Sequence, residues 1–125
     1  CILQRLGLSY ELLGVDILRD GALLAKDVTE EQLWSYAREG DMKIIVSPIG
    51  GQGFIFGRGN HQFSARVLRA VGKENITVIA PESKILSIAG YQLHADCGDP
   101  EVNESLRGYY NILCGYGYFL SLCCK

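Results

Sequence analysis

Runs of β-branched and aliphatic residues alternate with helical patterns along the chain, about every ten to fifteen residues. This order of elements builds βαβ units, in which neighbouring strands run parallel and helices cross between them. The sequence therefore predicts an α/β fold with a mostly parallel sheet flanked by helices. Two further patterns predict β-hairpins, one near the start of the chain and one at its C-terminus.

The predicted strands lie between residues that favour turns. They are 10–18, 22–25, 42–46, 76–80 and 92–95. The turn Arg19-Asp20-Gly21 makes the first two strands a hairpin. At the other end, 109–114 and 118–122 form a hairpin or one bent strand around Gly115-Tyr116-Gly117.

Helices are predicted where a capping residue precedes a helical pattern. Thr29 and Gln32 match the capping box, so a helix over about 30–39 should follow and end at Gly40. Three more helices are expected: one capped by Asn60 or Ser64 and ending at Gly72, one from Pro81 to about Ala89, and one from Asp99-Pro100 to Gly108.

Length and charge exclude several classes of partner. A chain of 125 residues suits a single domain, and 48% hydrophobic content is enough to build a core. The net charge is −2 and the basic residues are scattered, so no nucleic-acid partner is expected. No apolar run approaches the roughly 18 residues of a membrane span, so no membrane partner is expected either.

The cysteines indicate the compartment. Five cysteines, including the adjacent pair Cys123-Cys124, form neither a disulfide framework nor a metal-binding spacing. We therefore expect a cytoplasmic protein without a metal site. Because the chain begins at Cys1 without an initiator methionine, it is expected to be the C-terminal fragment of a longer protein.

The segment 48–62 is the most informative for function, since it places a third of the chain's glycines between a buried strand and a helix. Glycines allow backbone amides to converge on an anion, and a helix N-terminus adds free N–H groups and a positive dipole end. Arg58 adds a guanidinium that can bind phosphate or carboxylate in bidentate fashion. The residues predicted to bind a phosphorylated ligand or nucleotide are Gly50, Gly51, Gln52, Gly53, Arg58, Gly59, Asn60 and Gln62 in this segment, together with Asp96 later in the chain.

Two alternatives remain open for this segment. The glycines can instead serve only a tight crossover between strand and helix. In the other alternative the chain is an isomerase-like or hydrolase-like enzyme of sugar phosphates, with Asp96 or His61 as its acid or base. Asp96 follows a predicted strand at a carboxyl end, where α/β sheets bind ligands, whereas Asp99 is expected to cap a helix. No catalytic residue is assigned.

Four segments together resemble the C-terminal region of predicted ATP-NAD kinases of the AcoX-like branch. They are Leu12-Leu13-Gly14-Val15-Asp16, Pro48-Ile49-Gly50-Gly51-Gln52-Gly53, Gly57-Arg58-Gly59-Asn60, and Asp96-Cys97-Gly98-Asp99 with Leu106-Arg107-Gly108-Tyr109. The sequence departs from the family pattern at His61, where glutamine is expected, and at Cys97, where threonine is expected.

The resemblance implies that the parent protein transfers a phosphoryl group from ATP or polyphosphate to NAD, giving NADP. It also implies an N-terminal kinase domain as partner, because the Gly-Gly-Asp-Gly signature of that domain does not occur in this sequence. The chain by itself is then expected to bind a ligand but not to catalyse the phosphoryl transfer. A non-catalytic ligand-binding or interaction module is the rival interpretation, and assembly into a homo-oligomer is left open.

Overall fold

The computed structural model describes residues 14–49 and 51–125. Residues 10–13 of the first predicted strand, and Leu12 and Leu13 of the first family segment, lie outside the described residues, as does Gly50. The elements in chain order are β1 (Ile17–Arg19), β2 (Ala22–Ala25), α1 (Glu30–Ala37), β3 (Ile44–Val46), β4 (Phe54–Phe56), α2 (Ala65–Val71), β5 (Ile76–Ile79), α3 (Glu82–Leu86), β6 (Gln92–Ala95), α4 (Pro100–Ser105), β7 (Gly108–Gly115) and β8 (Tyr118–Cys124). Short 3₁₀ turns at Lys73–Asn75 and Ala89–Tyr91 precede β5 and β6.

The predicted α/β fold is confirmed. Six strands form one mixed sheet in the order β3-β5-β7-β8-β6-β4. β3, β5 and β7 are parallel to one another, as are β8, β6 and β4, and the two halves meet at the antiparallel pair β7 and β8. This pair is the predicted C-terminal hairpin, and β1 and β2 form the predicted hairpin near the start.

The sheet is bent, because its two outer strands are closer than they would be in a flat sheet. β3 and β4 stand at opposite edges of the strand order, yet Ile49, just after β3, forms an antiparallel bridge with Phe54. A flat sheet would hold its first and sixth strands about 24 Å apart. Val46 and Ile49 are three positions apart in the chain, so their Cα atoms are separated by at most about 11 Å. The sheet must therefore bend to bring its two edges closer than in a flat sheet.

One hydrophobic core lies between the sheet and the helices. Each buried aliphatic or aromatic side chain in it contributes roughly 1.5–3 kcal/mol through removal from water. The strands supply Ile44, Val46, Ile55, Phe56, Ile76, Val78, Leu93, Tyr110, Ile112 and Leu122, and the helices supply Leu33, Val67, Leu68, Val71, Ile85 and Val102. In the described part of the chain, no helix is long and apolar enough to cross a membrane.

The local capping predictions are confirmed at two helices. The Gln32 amide donates to the Thr29 hydroxyl (3.2 Å), and the Thr29 amide donates to the Gln32 side-chain oxygen (2.8 Å). The Asp99 carboxylate accepts from the Glu101 and Val102 amides at 3.0 and 3.3 Å, ahead of Pro100. These bonds satisfy N–H groups that a helix start otherwise leaves without partners.

Several predicted boundaries are wrong. α1 ends at Ala37 rather than at 39, and α4 ends at Ser105 because Gly108 already belongs to β7. Ser64, not Asn60, is the residue at the start of α2, and its hydroxyl donates to the Glu30 carboxylate (2.5 Å) instead of capping. The largest difference is β4, a strand inside the segment that the sequence analysis treated as one continuous loop.

Candidate functional site

β4 divides the glycine-rich segment into two turns. We call residues 51–53, before the strand, the first glycine turn, and residues 57–60, after it, the second glycine turn. Ile55 and Phe56 of β4 are fully buried, so the strand fixes both turns to the core. The first turn follows the carboxyl end of β3, as expected for a loop of an α/β sheet that binds a ligand.

The first glycine turn is tied to the segment that leads into β6. The carbonyl of Gly51 accepts from the Ala89 amide, and the carbonyl of Gly53 accepts from the His94 amide, both at 2.9 Å. Gly53 has a φ of +74°, and a Cβ added there would lie 2.4 Å from the Gln92 carbonyl oxygen. Backbone packing alone therefore requires glycine at position 53. Gly51 and Gln52 are exposed.

The second glycine turn is held by Asn60, whose side chain is almost completely buried. Its Nδ2 donates to the Ile55 carbonyl (2.8 Å), and its Oδ1 accepts from the Gly57 amide (3.2 Å). The predicted ligand donor thus already makes two hydrogen bonds inside the protein. Gly59 has a φ of +73° and is exposed, and a Cβ added there would lie 4.0 Å from the Ile49 side chain.

The second glycine turn also meets the loop that follows β6. Gly57 has a φ of +97°, and a Cβ there would lie 2.1 Å from the Asp96 carbonyl oxygen. The Asp96 carboxylate accepts from the Gly98 amide (3.0 Å) and from Asn103 Nδ2 (3.2 Å). These hydrogen bonds lower the pKa of Asp96 below its usual value, and the bond from the Gly98 amide has the largest effect.

Arg58 extends from the second turn back across the start of β4. Its guanidinium carbon lies 4.6 Å from the centre of the Phe54 ring, within the range of a cation–π contact. The Phe54 ring in turn lies 5.3 Å from the ring of His94. In ranges 14–49 and 51–125, no carboxylate oxygen lies within 4.0 Å of the Arg58 guanidinium. Its positive charge is therefore not neutralised by a carboxylate among those residues.

The remaining predicted residues lie around the second turn. His61 is exposed, and Gln62 is half-buried with its carbonyl accepting from the Ser64 amide at 3.0 Å. His94 packs against Phe54. Phe54 and His94 were not singled out as site residues. The β-prone triplet Phe54-Ile55-Phe56 between two glycines was the available signal for a strand that presents Phe54 beside the first turn.

This arrangement is suited to binding an anion rather than to moving a proton. A guanidinium supported on an aromatic face keeps its N–H edges available for phosphate or carboxylate oxygens. Asp96 has a lowered pKa, whereas a general base works best with a pKa near the operating pH. Within the described residues, no group of three or more His, Cys, Asp or Glu side chains is placed to hold a metal ion.

The fold and these contacts define an α/β domain with a candidate anion site at its glycine turns. A comparison with protein families gives its relatives: the model of the ATP-NAD kinase C-terminal domain matches residues 1–122. The chain therefore belongs to the ATP-NAD kinase C-terminal domain family, as the sequence resemblance implied. Comparisons with curated proteins and with solved structures gave no match.

Proposed function

We propose that this domain supplies an anion-binding site to a phosphotransferase that converts NAD to NADP with ATP or polyphosphate. The observation that carries the proposal is the Arg58 guanidinium on Phe54 beside the first glycine turn, with no carboxylate within ion-pair distance among the described residues. Membership of the ATP-NAD kinase C-terminal domain family supplies the substrate class.

The candidate residues divide into two roles in this proposal. Arg58 and the exposed first turn, with Gly51 and Gln52, contact the phosphate of the ligand. Asn60 and Asp96 hold the backbone around the site in place, because their side chains form hydrogen bonds to the backbone of the second turn and of the loop after β6. The phosphate of the ligand would then contact Arg58. The positive charge of this side chain would balance the negative charge that hydrogen bonds from backbone amides do not neutralise.

The chemical step itself belongs to a partner domain in this proposal. The Gly-Gly-Asp-Gly signature of the kinase domain does not occur in the sequence, and the lowered pKa of Asp96 does not suit a base at neutral pH. The lowered pKa also disfavours Asp96 as the base in the sugar-phosphate isomerase or hydrolase alternative. This domain would hold the phosphorylated ligand while the partner domain activates the NAD hydroxyl.

The test is calorimetric titration of the purified 125-residue chain with NAD, NADP, ATP and tripolyphosphate, repeated on Arg58→Ala. Loss of a hydrogen bond to a charged group costs about 1.5–3 kcal/mol, so affinity should fall roughly ten- to a hundredfold. Stability should change by no more than about 1 kcal/mol, the scale of an exposed cation–π contact.

The matched control is Arg107→Ala, since Arg107 forms an exposed ion pair with Glu104 (2.6 Å) instead. This control should bind each ligand as the parent chain does. If none of the four ligands binds at millimolar concentration, or if Arg58→Ala binds unchanged while losing stability, Arg58 covers apolar surface and the proposed site is wrong.

A further inference from the structure

The Arg58 side chain is held in place by a single aromatic contact. Its guanidinium carbon lies 4.6 Å from the centre of the Phe54 ring. Among the described residues, no hydrogen bond or ion pair holds this side chain, and Arg58 is exposed. An exposed arginine has several rotatable bonds and samples many rotamers in water. The position of the guanidinium therefore depends on Phe54.

The Phe54 ring is itself well fixed. The carbonyl of Phe54 accepts from the Ile49 amide (2.7 Å), and β4 pairs with β6. Phe54 stands directly opposite His94 in this parallel pair, so the two side chains lie on the same face of the sheet. Their rings are 5.3 Å apart and tilted by 35°. The half-buried Phe54 ring thus has neighbours that restrict its movement.

His94 also joins this aromatic pair to the first glycine turn. Its backbone amide donates to the Gly53 carbonyl (2.9 Å), while its ring packs against Phe54. One residue of β6 therefore contacts the turn through its backbone and supports Phe54 through its side chain. The two parts of the proposed site that contact phosphate, Arg58 and the first turn, are connected through this pair of strands.

We infer that Phe54 is a positioning residue of the anion site and that His94 supports Phe54 from the neighbouring strand. This inference rests on the function proposed above, in which Arg58 contacts the phosphate. A side chain that is ordered before binding loses less conformational freedom when the ligand arrives. A contact with an aromatic ring leaves guanidinium N–H groups to bond to phosphate oxygens. Phe54 thus raises the affinity of the site without contacting the ligand.

A measurement without ligand tests whether Phe54 holds Arg58. Protons held over the face of an aromatic ring are shielded, so the Arg58 side-chain protons should resonate upfield of those of Arg107 in the NMR spectrum of the 125-residue chain. Arg107 is an exposed arginine paired with Glu104. Phe54→Leu should abolish the upfield shift, and Phe54→Tyr should retain it. Arg58 protons without an upfield shift in the parent chain would overturn the inference.

Calorimetric titration with tripolyphosphate tests the effect on binding. Phe54→Leu keeps an apolar side chain but should bind about two- to tenfold more weakly, because binding must then order one flexible side chain. Phe54→Tyr keeps the aromatic ring and should bind as the parent chain does. His94→Ala leaves Phe54 in place and should weaken binding less than Phe54→Leu does. A larger loss in His94→Ala would contradict the assignment of Phe54 as the residue that positions Arg58.

Phe63 provides the matched control. It is a half-buried phenylalanine of the neighbouring segment, and its ring lies 5.4 Å from the ring of Phe56. Phe63→Leu removes an aromatic pair as Phe54→Leu does, so it should also lower the midpoint of urea denaturation. It should nevertheless bind tripolyphosphate as the parent chain does. Equal losses of affinity in the two variants would mean that general destabilisation weakens binding, and would overturn the inference.

The Arg58→Ala background separates this inference from the proposed function. Phe54→Leu should have no further effect there, because the side chain that Phe54 positions is absent. A further loss as large as in the parent chain would mean that Phe54 acts on the first glycine turn, and would overturn the inference. If Arg58→Ala weakens binding while Phe54→Leu binds as tightly as the parent chain or more tightly, only the inference fails. If the parent chain binds no tripolyphosphate, or if Arg58→Ala binds it unchanged, the proposed function fails, and the Arg58 NMR shift still decides whether Phe54 positions this side chain.

Discussion

Replacing Gly57 with alanine should destabilise the domain strongly, because the added Cβ meets backbone. The built Cβ lies 2.1 Å from the Asp96 carbonyl oxygen, and φ is +97°. A left-handed conformation costs a non-glycine residue roughly 1–2 kcal/mol. Relieving the overlap shifts two packed segments, which typically costs about 1–3 kcal/mol. The sum is about 2–5 kcal/mol, a large part of the roughly 5–15 kcal/mol that stabilises a domain.

Urea denaturation followed by circular dichroism measures this loss. With a slope of about 2 kcal/mol per molar urea, the midpoint should fall by roughly 1–2.5 M. Gly98→Ala is the matched control: Gly98 lies in the facing loop with a φ of +84°, but a Cβ there meets no atom within 4 Å. The Gly98→Ala variant therefore measures only the cost of placing a non-glycine residue in the left-handed backbone conformation.

The difference between the two variants isolates the contact between the second glycine turn and Asp96. If Gly57→Ala and Gly98→Ala lose the same free energy of unfolding within about 0.5 kcal/mol, the overlap is relieved without cost. The close approach of these two loops would then not be a constraint on the sequence, and the physical explanation of Gly57 would be refuted.

Three further predictions concern stability. Asn60→Ala should cost about 2–4 kcal/mol in urea denaturation, because it removes two hydrogen bonds and leaves a buried carbonyl without its donor. The hydrogen bond from Arg66 lowers the pKa of Glu30 from 4.5 to about 2, so the stability from this carboxylate is complete above pH 4.5 and is lost as the pH falls toward 2. Thermal melts at a series of pH values should show the advantage of the parent chain over Glu30→Gln shrinking in that window, and a constant difference would contradict this. Asp99→Ala should lower the free energy of unfolding by about 0.5–2 kcal/mol while Asp99→Asn retains most of it, and equal losses would exclude a capping role.

Sequence patterns predicted the elements whose signals are local. The capping box at Thr29, the Asp99-Pro100 helix start and the Asp20-Gly21 turn each act within a few residues, and all three are present in the structure. The sequence also placed Asp96 at the carboxyl end of a strand, where α/β sheets bind ligands, and in the structure Gly57 of the glycine segment lies against Asp96.

β4 was missed because its partners are distant in sequence. Phe54–Phe56 is a three-residue run, too short for a recognisable period, and it becomes a strand only by pairing with β6 almost forty residues later and by bridging Ile49. The position of Arg58 depends on the same strand, since its guanidinium lies over Phe54. The bend of the sheet likewise arises from packing between elements, which no local pattern encodes.

The structure also separates the glycines that the fold requires from those that it does not. Gly53 and Gly57 have positive φ values and backbone oxygens within 2.5 Å of a built Cβ, so folding alone accounts for them. Gly51 has neither feature, and a Cβ there meets no atom within 4 Å.

Gly51→Ala should therefore fold as the parent chain does. If a phosphate approaches the backbone of the first turn, this methyl group stands in its path, and affinity in the calorimetric titration should fall without loss of stability. Unchanged affinity in a chain that binds phosphate would place the ligand away from Gly51 and leave Arg58 as the main contact.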